Sequence, residues 1–197
     1  MLFRSYSELG VVPAPEERQV AICFTDIRGF TAKSEIMDPP RLFAALSSHL
    51  QSQIGAVYRF GGYVDKFNGD GLMAIFDGPD MVRQCADCAL TIMEEAEKKS
   101  SAIDQFPIGI GIHTGRVFMG NIGSSEHLDF SIVGATVNLA ARLCGFALPG
   151  KIVVSDAVHQ QLADNPEFQL LDPRDVQIRG VRSLVRIYRL QRTGALD

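Results

Sequence analysis

Two aspartates, Asp26 and Asp70, have the residue type and placement that best suit catalytic chemistry in this sequence. Asp26 lies in the β-rich run VAICFTDI (20–27), and Asp70 lies in the turn NGDG between two short strand-like segments. If this hairpin pairs beside the first strand, both carboxylates project from one sheet edge. Such a pair suits two divalent ions that bind substrate phosphates and promote phosphoryl transfer. Each aspartate alone is equally explained by a turn or a helix cap, but the two motifs together favour metal binding.

The segment after Asp26 offers a further contact for phosphates. Arg28, Gly29, Phe30 and Thr31 are expected to open a helix, and free backbone N–H groups at a helix start suit a triphosphate. The chain has no P-loop motif, and its GIGIHTG run has GxGxxxG spacing instead of the GxGxxG of dinucleotide-binding proteins. We therefore interpret GIGIHTG as a strand whose glycines allow close packing.

A second polar pair, Asn138 and Arg142, lies in the predicted helix ATVNLAARLCGFA (135–147). Residues four apart share one face of a helix. Arginine supplies a charged fork for the transition state of phosphoryl transfer, and asparagine can bind a sugar oxygen. A solvated helix face explains the same pair, so it carries weight only in combination with the aspartates.

A mixture of helices and strands must position these residues. Apolar spacing predicts helices at 39–62, 81–99, 135–147 and a short one ending near residue 164. Strands are predicted at 20–27, in a hairpin at 63–77, at 107–115, 117–123, 128–134 and 151–155, and in the runs FQLLD, VQIRG and LVRIYRL. Because several neighbouring strands are joined by hairpin-length turns, we expect a mixed β-sheet with helices packed on it.

Four motifs occur in the order FTDIRGFT, KFNGDGLMAIF, GIGIHTGRVFMGNIG and SIVGATVNLAARL, and together they closely resemble the catalytic domain of class III nucleotidyl cyclases. The resemblance covers about residues 19–190. It implies an α+β fold, a ferredoxin-like mixed β-sheet with flanking helices, and a head-to-tail homodimer with its active sites between the protomers. It also implies that ATP is converted to 3′,5′-cyclic AMP and pyrophosphate with two divalent cations, Mg²⁺ or Mn²⁺.

The resemblance implies a role for each residue of the two polar pairs. Asp26 and Asp70, together with the carbonyl of Ile27, are similar to the metal ligands of the family. Asn138 and Arg142 resemble the pair that orients the ribose and stabilises the transition state. In a dimer of this type, that pair acts on the nucleotide held by the metals of the other protomer.

The resemblance also implies contacts to the base and the triphosphate. Lys66 stands where lysine marks adenylate cyclases and glutamate marks guanylate cyclases, and a donor-only lysine suits the acceptor N1 of adenine. Ser131 stands where many adenylate cyclases carry aspartate and another branch carries threonine. A hydroxyl donates and accepts, so a guanylate cyclase or a cyclase of relaxed specificity stays the alternative. Arg179 is the nearest match to a late-strand lysine that contacts the triphosphate.

Charge and composition argue against other classes of protein. The 19 lysines and arginines against 23 acidic residues give a net charge of −4, which disfavours nucleic-acid binding by bulk charge. The arginines of residues 172–192 are interpreted as a polar strand face with one phosphate contact. No apolar run approaches the ~20 residues that span a bilayer. Cys85 and Cys88 form a CxxC in a predicted helix, but no second pair has zinc spacing, which favours reduced, buried thiols in a cytosolic compartment over a redox or metal role.

The chain is predicted to contain one domain. Residues 1–18 are interpreted as a linker or lead-in, 19–192 as the catalytic domain, and 193–197 as a C-terminal tail. The lead-in suggests an upstream regulatory domain, so this chain is expected to be the cytosolic part of a larger protein. A noncatalytic nucleotide-binding or dimerisation module is the alternative from another class, and it is disfavoured because both aspartates and the Asn–Arg pair are present.

Overall fold

One eight-stranded sheet with helices on both faces makes up the structure, a computed structural model that describes residues 14–98, 106–124 and 127–195. The strands are β1 (Glu16–Ile27), β2 (Tyr63–Asn68), β3 (Gly71–Phe76), β4 (Ile108–Ser124), β5 (His127–Val133), β6 (Lys151–Ser155), β7 (Phe168–Val176) and β8 (Val185–Arg192). The helices are α1 (Phe30–Ile36), α2 (Pro39–Arg59), α3 (Met81–Lys98), α4 (Ala135–Phe146) and α5 (Asp156–Leu162).

The strand order is β2-β3-β1-β4-β6-β8-β7, and β5 pairs with β4. Strand β1 runs antiparallel to both β3 and β4, whereas β4 and β6 run parallel. The part from β1 to β4 therefore has the antiparallel strand order and the two helical crossovers of a ferredoxin-like fold. This arrangement confirms the predicted mixed β-sheet with flanking helices.

The central strands are buried on both faces, which explains their nearly continuous apolar sequences. On β1, Ala21 and Cys23 pack in the core formed with α2, α3 and α5. The alternate residues Val20, Ile22 and Phe24 pack in a second core, which includes Ala140 and Cys144 of α4. Since side chains of a strand alternate between its faces, one strand contributes to both cores.

Helix α4 lies directly on β4 because glycines occupy the contact. A Cβ atom at Gly111 would lie 2.1 Å from the backbone nitrogen of Cys144, and one at Gly115 would lie 2.7 Å from the Thr136 hydroxyl oxygen. Real Cβ atoms essentially never approach neighbours this closely. The interpretation of GIGIHTG as a closely packed strand is therefore confirmed.

The structure corrects three of the predicted elements. The two strands predicted at 107–115 and 117–123 are the single strand β4, because Arg116 stays extended and pairs with Gln19 of β1. The predicted strand VQIRG is wrong, since β7 ends at Val176 and a turn follows, in which Gly180 has a φ of +79°. Strand β1 begins at Glu16 and not at residue 20.

Parts of the predicted domain division fall on residues outside the described ranges. These are residues 1–13 of the predicted lead-in and residues 196–197 of the predicted tail. The boundaries at 18 and 192 stay predictions. Among the helices that the structure describes, none has the length and apolar character needed to cross a membrane.

Candidate active site

The turn that carries Asp70 lies against the end of β1, beside Asp26. The β2–β3 hairpin pairs next to β1, with Phe24 opposite Met73. The backbone N–H of Leu72 donates a hydrogen bond of 3.1 Å to the hydroxyl oxygen of Thr25. This pairing is the one on which the predicted convergence of the two carboxylates depended.

The turn that carries Asp70 lies close to the backbone of Asp26, since a Cβ atom at Gly71 would lie 3.1 Å from the Cα atom of Asp26. Burial raises the pKa of Asp70, and the negative charge of Asp26 raises it further. The backbone N–H groups of Asp70 itself and of Ile27, and the charge of Arg28, oppose this effect by stabilising the carboxylate. A cation between the two aspartates would relieve their repulsion, so the donor set fits a divalent ion.

The number of protein ligands also matches a hard divalent cation. Within the described residues, no group of three or more His, Cys, Asp and Glu side chains is placed to hold a metal. Two carboxylates and a backbone carbonyl leave coordination positions for water and phosphate, as Mg²⁺ prefers. The residues that could hold the metals are therefore Asp26, Asp70 and the carbonyl of Ile27.

Arg28 also belongs to this site. The sequence analysis predicted it only as a residue at the start of a helix. Its guanidinium forms an ion pair with Asp26 and donates a hydrogen bond to the backbone carbonyl of Cys144 in α4. A Cβ atom at Gly109 would lie 2.2 Å from Nη2 of Arg28, so a glycine there makes room for the guanidinium. The i, i+2 spacing of Asp26 and Arg28 in FTDIRGF was the available signal for this ion pair.

The residues after Arg28 form the short helix that was expected. Gly29 is the N-cap, with a φ of +74°, and Phe30 and Thr31 begin α1. None of the residues in α1 is buried. The first turn of α1 thus lies exposed directly beyond the end of β1 that carries Asp26, where a triphosphate is predicted to bind.

Lys66 and Ser131 each lie beside an acidic side chain of their own strand. The Nζ atom of Lys66 in β2 is 3.3 Å from Oδ2 of Asp65, and 51% of the Lys66 side chain is exposed. The Ser131 hydroxyl in β5 donates a hydrogen bond of 3.4 Å to Oδ2 of Asp129. Burial of the Asp65 carboxylate raises its pKa. The positive charge of Lys66 lowers this pKa, and the negative charge of Asp129 raises it. The charges of Asp65 and Asp129, the acidic neighbours of Lys66 and Ser131, thus influence one another.

Helix α4 brings Arg142 to the turn that carries Arg179. A Cβ atom at Gly180 would lie 3.2 Å from Nη1 of Arg142. Ile178 in the same turn is 1% exposed and packs in a core with Leu143, so the turn is anchored to α4. The exposed Arg179 therefore lies on a segment held against the predicted transition-state arginine, although not on a strand.

Asn138 lies on the exposed side of α4, one helical turn before Arg142. It thus shares a helix face with Arg142, as predicted from their spacing. The contact of Arg28 with the Cys144 carbonyl links this helix to the end of β1 that carries Asp26 in the same chain.

Comparisons with known proteins agree with this geometry. Residues 12–192 match the family described as "Adenylate and Guanylate cyclase catalytic domain". The adenylate cyclase of Anabaena cylindrica is 32% identical over 193 residues, which cover 91% of this chain and 38% of that protein. The chain spans 34% to 38% of the length of the first curated relatives that it matches.

Two solved structures share the fold over nearly the whole chain. The adenylyl cyclase CyaB from P. aeruginosa has a TM-score of 0.84 and 25% identity, covering 91% of this chain and 96% of that one. The guanylyl cyclase Cya2 has a TM-score of 0.81 and 28% identity, covering 89% of this chain and 92% of that one. The chain therefore belongs to the family of adenylate and guanylate cyclase catalytic domains.

Proposed function

We propose that this cyclase domain is an adenylate cyclase that works as a homodimer and converts ATP to 3′,5′-cyclic AMP and pyrophosphate. The observation that carries the proposal is the packing of the Asp70 turn against the end of β1, where a Cβ atom at Gly71 would lie 3.1 Å from the Cα atom of Asp26. In the reaction, the ribose 3′ oxygen forms a bond to the α-phosphorus. The bond from that phosphorus to the β-phosphate bridging oxygen breaks, and the 3′ hydroxyl proton is lost.

Asp26, Asp70 and the carbonyl of Ile27 would hold two divalent cations, Mg²⁺ or Mn²⁺, which supply charge neutralisation at the phosphates and acidify the attacking hydroxyl. The contribution of the protein is to fix the positions of these oxygen ligands. Asp70 is held by the close packing of its turn on Thr25 and by the hydrogen bond from the Leu72 amide to the Thr25 hydroxyl. Asp26 is held by its ion pair with Arg28.

The two arginines supply positive charge to the reacting phosphates. The net charge of −4 gives the chain no general attraction for ATP, so placed cations are needed. Arg142 would stabilise the charge that develops at the α-phosphate, and Arg179 would contact the triphosphate. Asn138, one turn along the same helix, would orient the ribose of the nucleotide whose metals are held by the other protomer.

Lys66 supports ATP as the substrate. Its ammonium group has donors only, which match N1 of adenine and oppose the N1–H of guanine. The relative from Anabaena cylindrica is named an adenylate cyclase, whereas the structural neighbour Cya2 is a guanylyl cyclase. Because Ser131 replaces an aspartate, a guanylate cyclase or one of relaxed specificity is the second candidate. A noncatalytic nucleotide-binding or dimerisation module is the third.

A turnover assay with both nucleotides tests the proposal. The purified chain is given ATP and GTP together with Mg²⁺ or Mn²⁺, and the cyclic products are separated chromatographically. We expect cyclic AMP as the main product, and its loss in Asp26→Ala. Asp164→Ala, which removes an exposed carboxylate after α5, should keep full activity. Full activity of Asp26→Ala would refute the metal assignment, and binding of both nucleotides without turnover would favour the noncatalytic module.

A mixing experiment tests whether the sites are shared between protomers. Asp26→Ala and Arg142→Ala are each expected to be inactive alone. In a heterodimer of the two variants, one site keeps Asp26 from one chain and Arg142 from the other. Random exchange at equal amounts should therefore restore about a quarter of the wild-type activity. No recovery, in samples whose subunit exchange is shown by mass labelling, would contradict shared sites.

A longer protein is also part of the proposal. The chain spans 34% to 38% of the length of the first curated relatives it matches, and those lengths leave room for further domains. We propose an upstream regulatory domain and a cytoplasmic location for the cyclase domain. The four cysteines are unpaired and buried, which suits a reducing compartment.

A further inference from the structure

The Ser131 hydroxyl has a partner within the protein, and this partner determines how the hydroxyl can meet a base. Its oxygen lies 3.4 Å from Oδ2 of Asp129 and donates to that carboxylate. Asp129 and Ser131 are two residues apart on β5, so their side chains share one face of the strand. An ionised carboxylate only accepts hydrogen bonds, so the direction of this bond is fixed.

A serine hydroxyl has one proton and two lone pairs. When the proton is given to Asp129, only the lone pairs are left for a ligand, and the hydroxyl becomes an acceptor. The exocyclic amino group of adenine is a donor, whereas guanine has the acceptor O6 at the same position. An acceptor-only Ser131 therefore forms a hydrogen bond with adenine and opposes guanine with a second acceptor.

A second carboxylate, Asp65 of β2, influences this region, although β2 pairs with β3 and not with β5. A β-bulge between Val64 and Lys66 interrupts the regular alternation of β2, and the side chains of Asp65 and Lys66 meet within 3.3 Å. The negative charge of Asp129 also raises the pKa of Asp65. The Asp129 carboxylate beside the Ser131 hydroxyl is itself negatively charged, which disfavours a carbonyl oxygen such as guanine O6.

We propose that Asp129 is a positioning residue for base selection, which holds the Ser131 hydroxyl as an acceptor and so favours adenine over guanine. This inference rests on the proposed function, because it assigns Ser131 to the base. It makes the acceptor role the favoured one for this hydroxyl, because Asp129 offers its proton a partner within the same strand.

The test is the ratio of kcat/KM for ATP to kcat/KM for GTP in Asp129→Ala. Without the carboxylate, the hydroxyl can donate to guanine O6, and we expect the ratio to fall roughly 3- to 10-fold, as for the loss of one hydrogen-bond preference. A loss of folded protein lowers both rates equally and leaves the ratio unchanged. Asp175→Ala, which removes another exposed strand carboxylate, should also leave the ratio unchanged.

A double-mutant cycle tests whether Asp129 acts through Ser131. In the Ser131→Ala background, Asp129→Ala should have no further effect on the ratio. An equal fall in both backgrounds would show that Asp129 acts on the base directly, and this result would overturn the inference. If Asp129→Ala has no turnover, the ratio of the dissociation constants of fluorescent ATP and GTP analogues is measured instead, with the same expected direction.

The outcomes separate the inference from the proposed function. An active wild type whose ratio does not change in Asp129→Ala overturns the role of Asp129 alone. A wild type that forms no cyclic nucleotide from ATP or GTP overturns the proposed function, and the role of Asp129 with it.

Discussion

Replacing Gly71 by alanine should displace the turn that carries Asp70. A Cβ atom at residue 71 would lie 1.9 Å from the carbonyl oxygen of Thr25 and 2.7 Å from its carbonyl carbon. Both are backbone atoms of β1, which is paired on both sides and cannot yield as a flexible side chain can. The turn itself must move by about 1 Å, with overpacking of this kind costing typically 1–3 kcal/mol.

The expected effects of Gly71→Ala are large enough to measure separately on stability and activity. At the upper end of that range, about 3 kcal/mol, the Tm of a chain of this size falls by roughly 6–12 °C. A displacement of about 1 Å at a catalytic group can lower the rate about 100-fold. The assays are thermal unfolding followed by circular dichroism, and cyclic nucleotide formation below the unfolding transition.

Gly55→Ala is the matched control. Gly55 lies in α2, and no neighbouring atom lies within 4 Å of the position of its Cβ atom. Alanine is favoured over glycine inside a helix by about 0.5–1 kcal/mol, so the Tm should rise by ~1–4 °C. An unchanged Tm and full activity in Gly71→Ala would refute the close contact with Thr25. A lower Tm with full activity would refute the placement of Asp70 at the reacting phosphates.

Two further predictions concern Arg28 and His113. Gly109→Ala and Arg28→Ala should each lower the free energy of unfolding, measured by chemical denaturation, by about 2 kcal/mol. The double variant should lose less than the sum of the two, because both changes remove the same charge-assisted contacts of Arg28. Additive losses would contradict this shared cause. Burial lowers the pKa of His113 to about 4 in the folded chain. Between pH 6.5 and 4, the imidazole therefore binds a proton more readily in the unfolded chain than in the folded one. The free energy of unfolding thus falls as the pH falls through this range. In His113→Gln the slope of the unfolding free energy against pH should be smaller by up to ~1.4 kcal/mol per pH unit, and an unchanged slope would refute a buried neutral imidazole.

The sequence was informative about the site wherever the chemistry depended on neighbours along the chain. The NGDG turn predicted the hairpin of Asp70, and helical spacing predicted the shared face of Asn138 and Arg142. The sequence analysis assumed that this hairpin pairs beside the first strand, and the structure confirms the pairing of β1 with β3. The fold class also followed from the motifs, because hairpin-length turns between strands exclude a purely parallel sheet.

Contacts between distant parts of the chain were not predictable in this way. The hydrogen bond from Arg28 to the Cys144 carbonyl joins residues 116 apart, and no local pattern indicates it. The error at VQIRG has a physical reason, since Ile178 is buried by packing on α4 and not by membership of a strand. The β-rich composition of that run predicted a strand, but Gly180 with its positive φ begins a turn.

The packing of the Asp70 turn has a consequence for regulation. Two separate contacts join this turn to the end of β1: the hydrogen bond between the Leu72 amide and the Thr25 hydroxyl, and the close packing of Gly71 against the Thr25 backbone. The distance between the two aspartates is therefore set by the pairing of the β2–β3 hairpin with β1. In the proposed homodimer, we expect a regulatory signal to change how one chain lies relative to the other, while the arrangement of Asp26 and Asp70 within each chain stays the same.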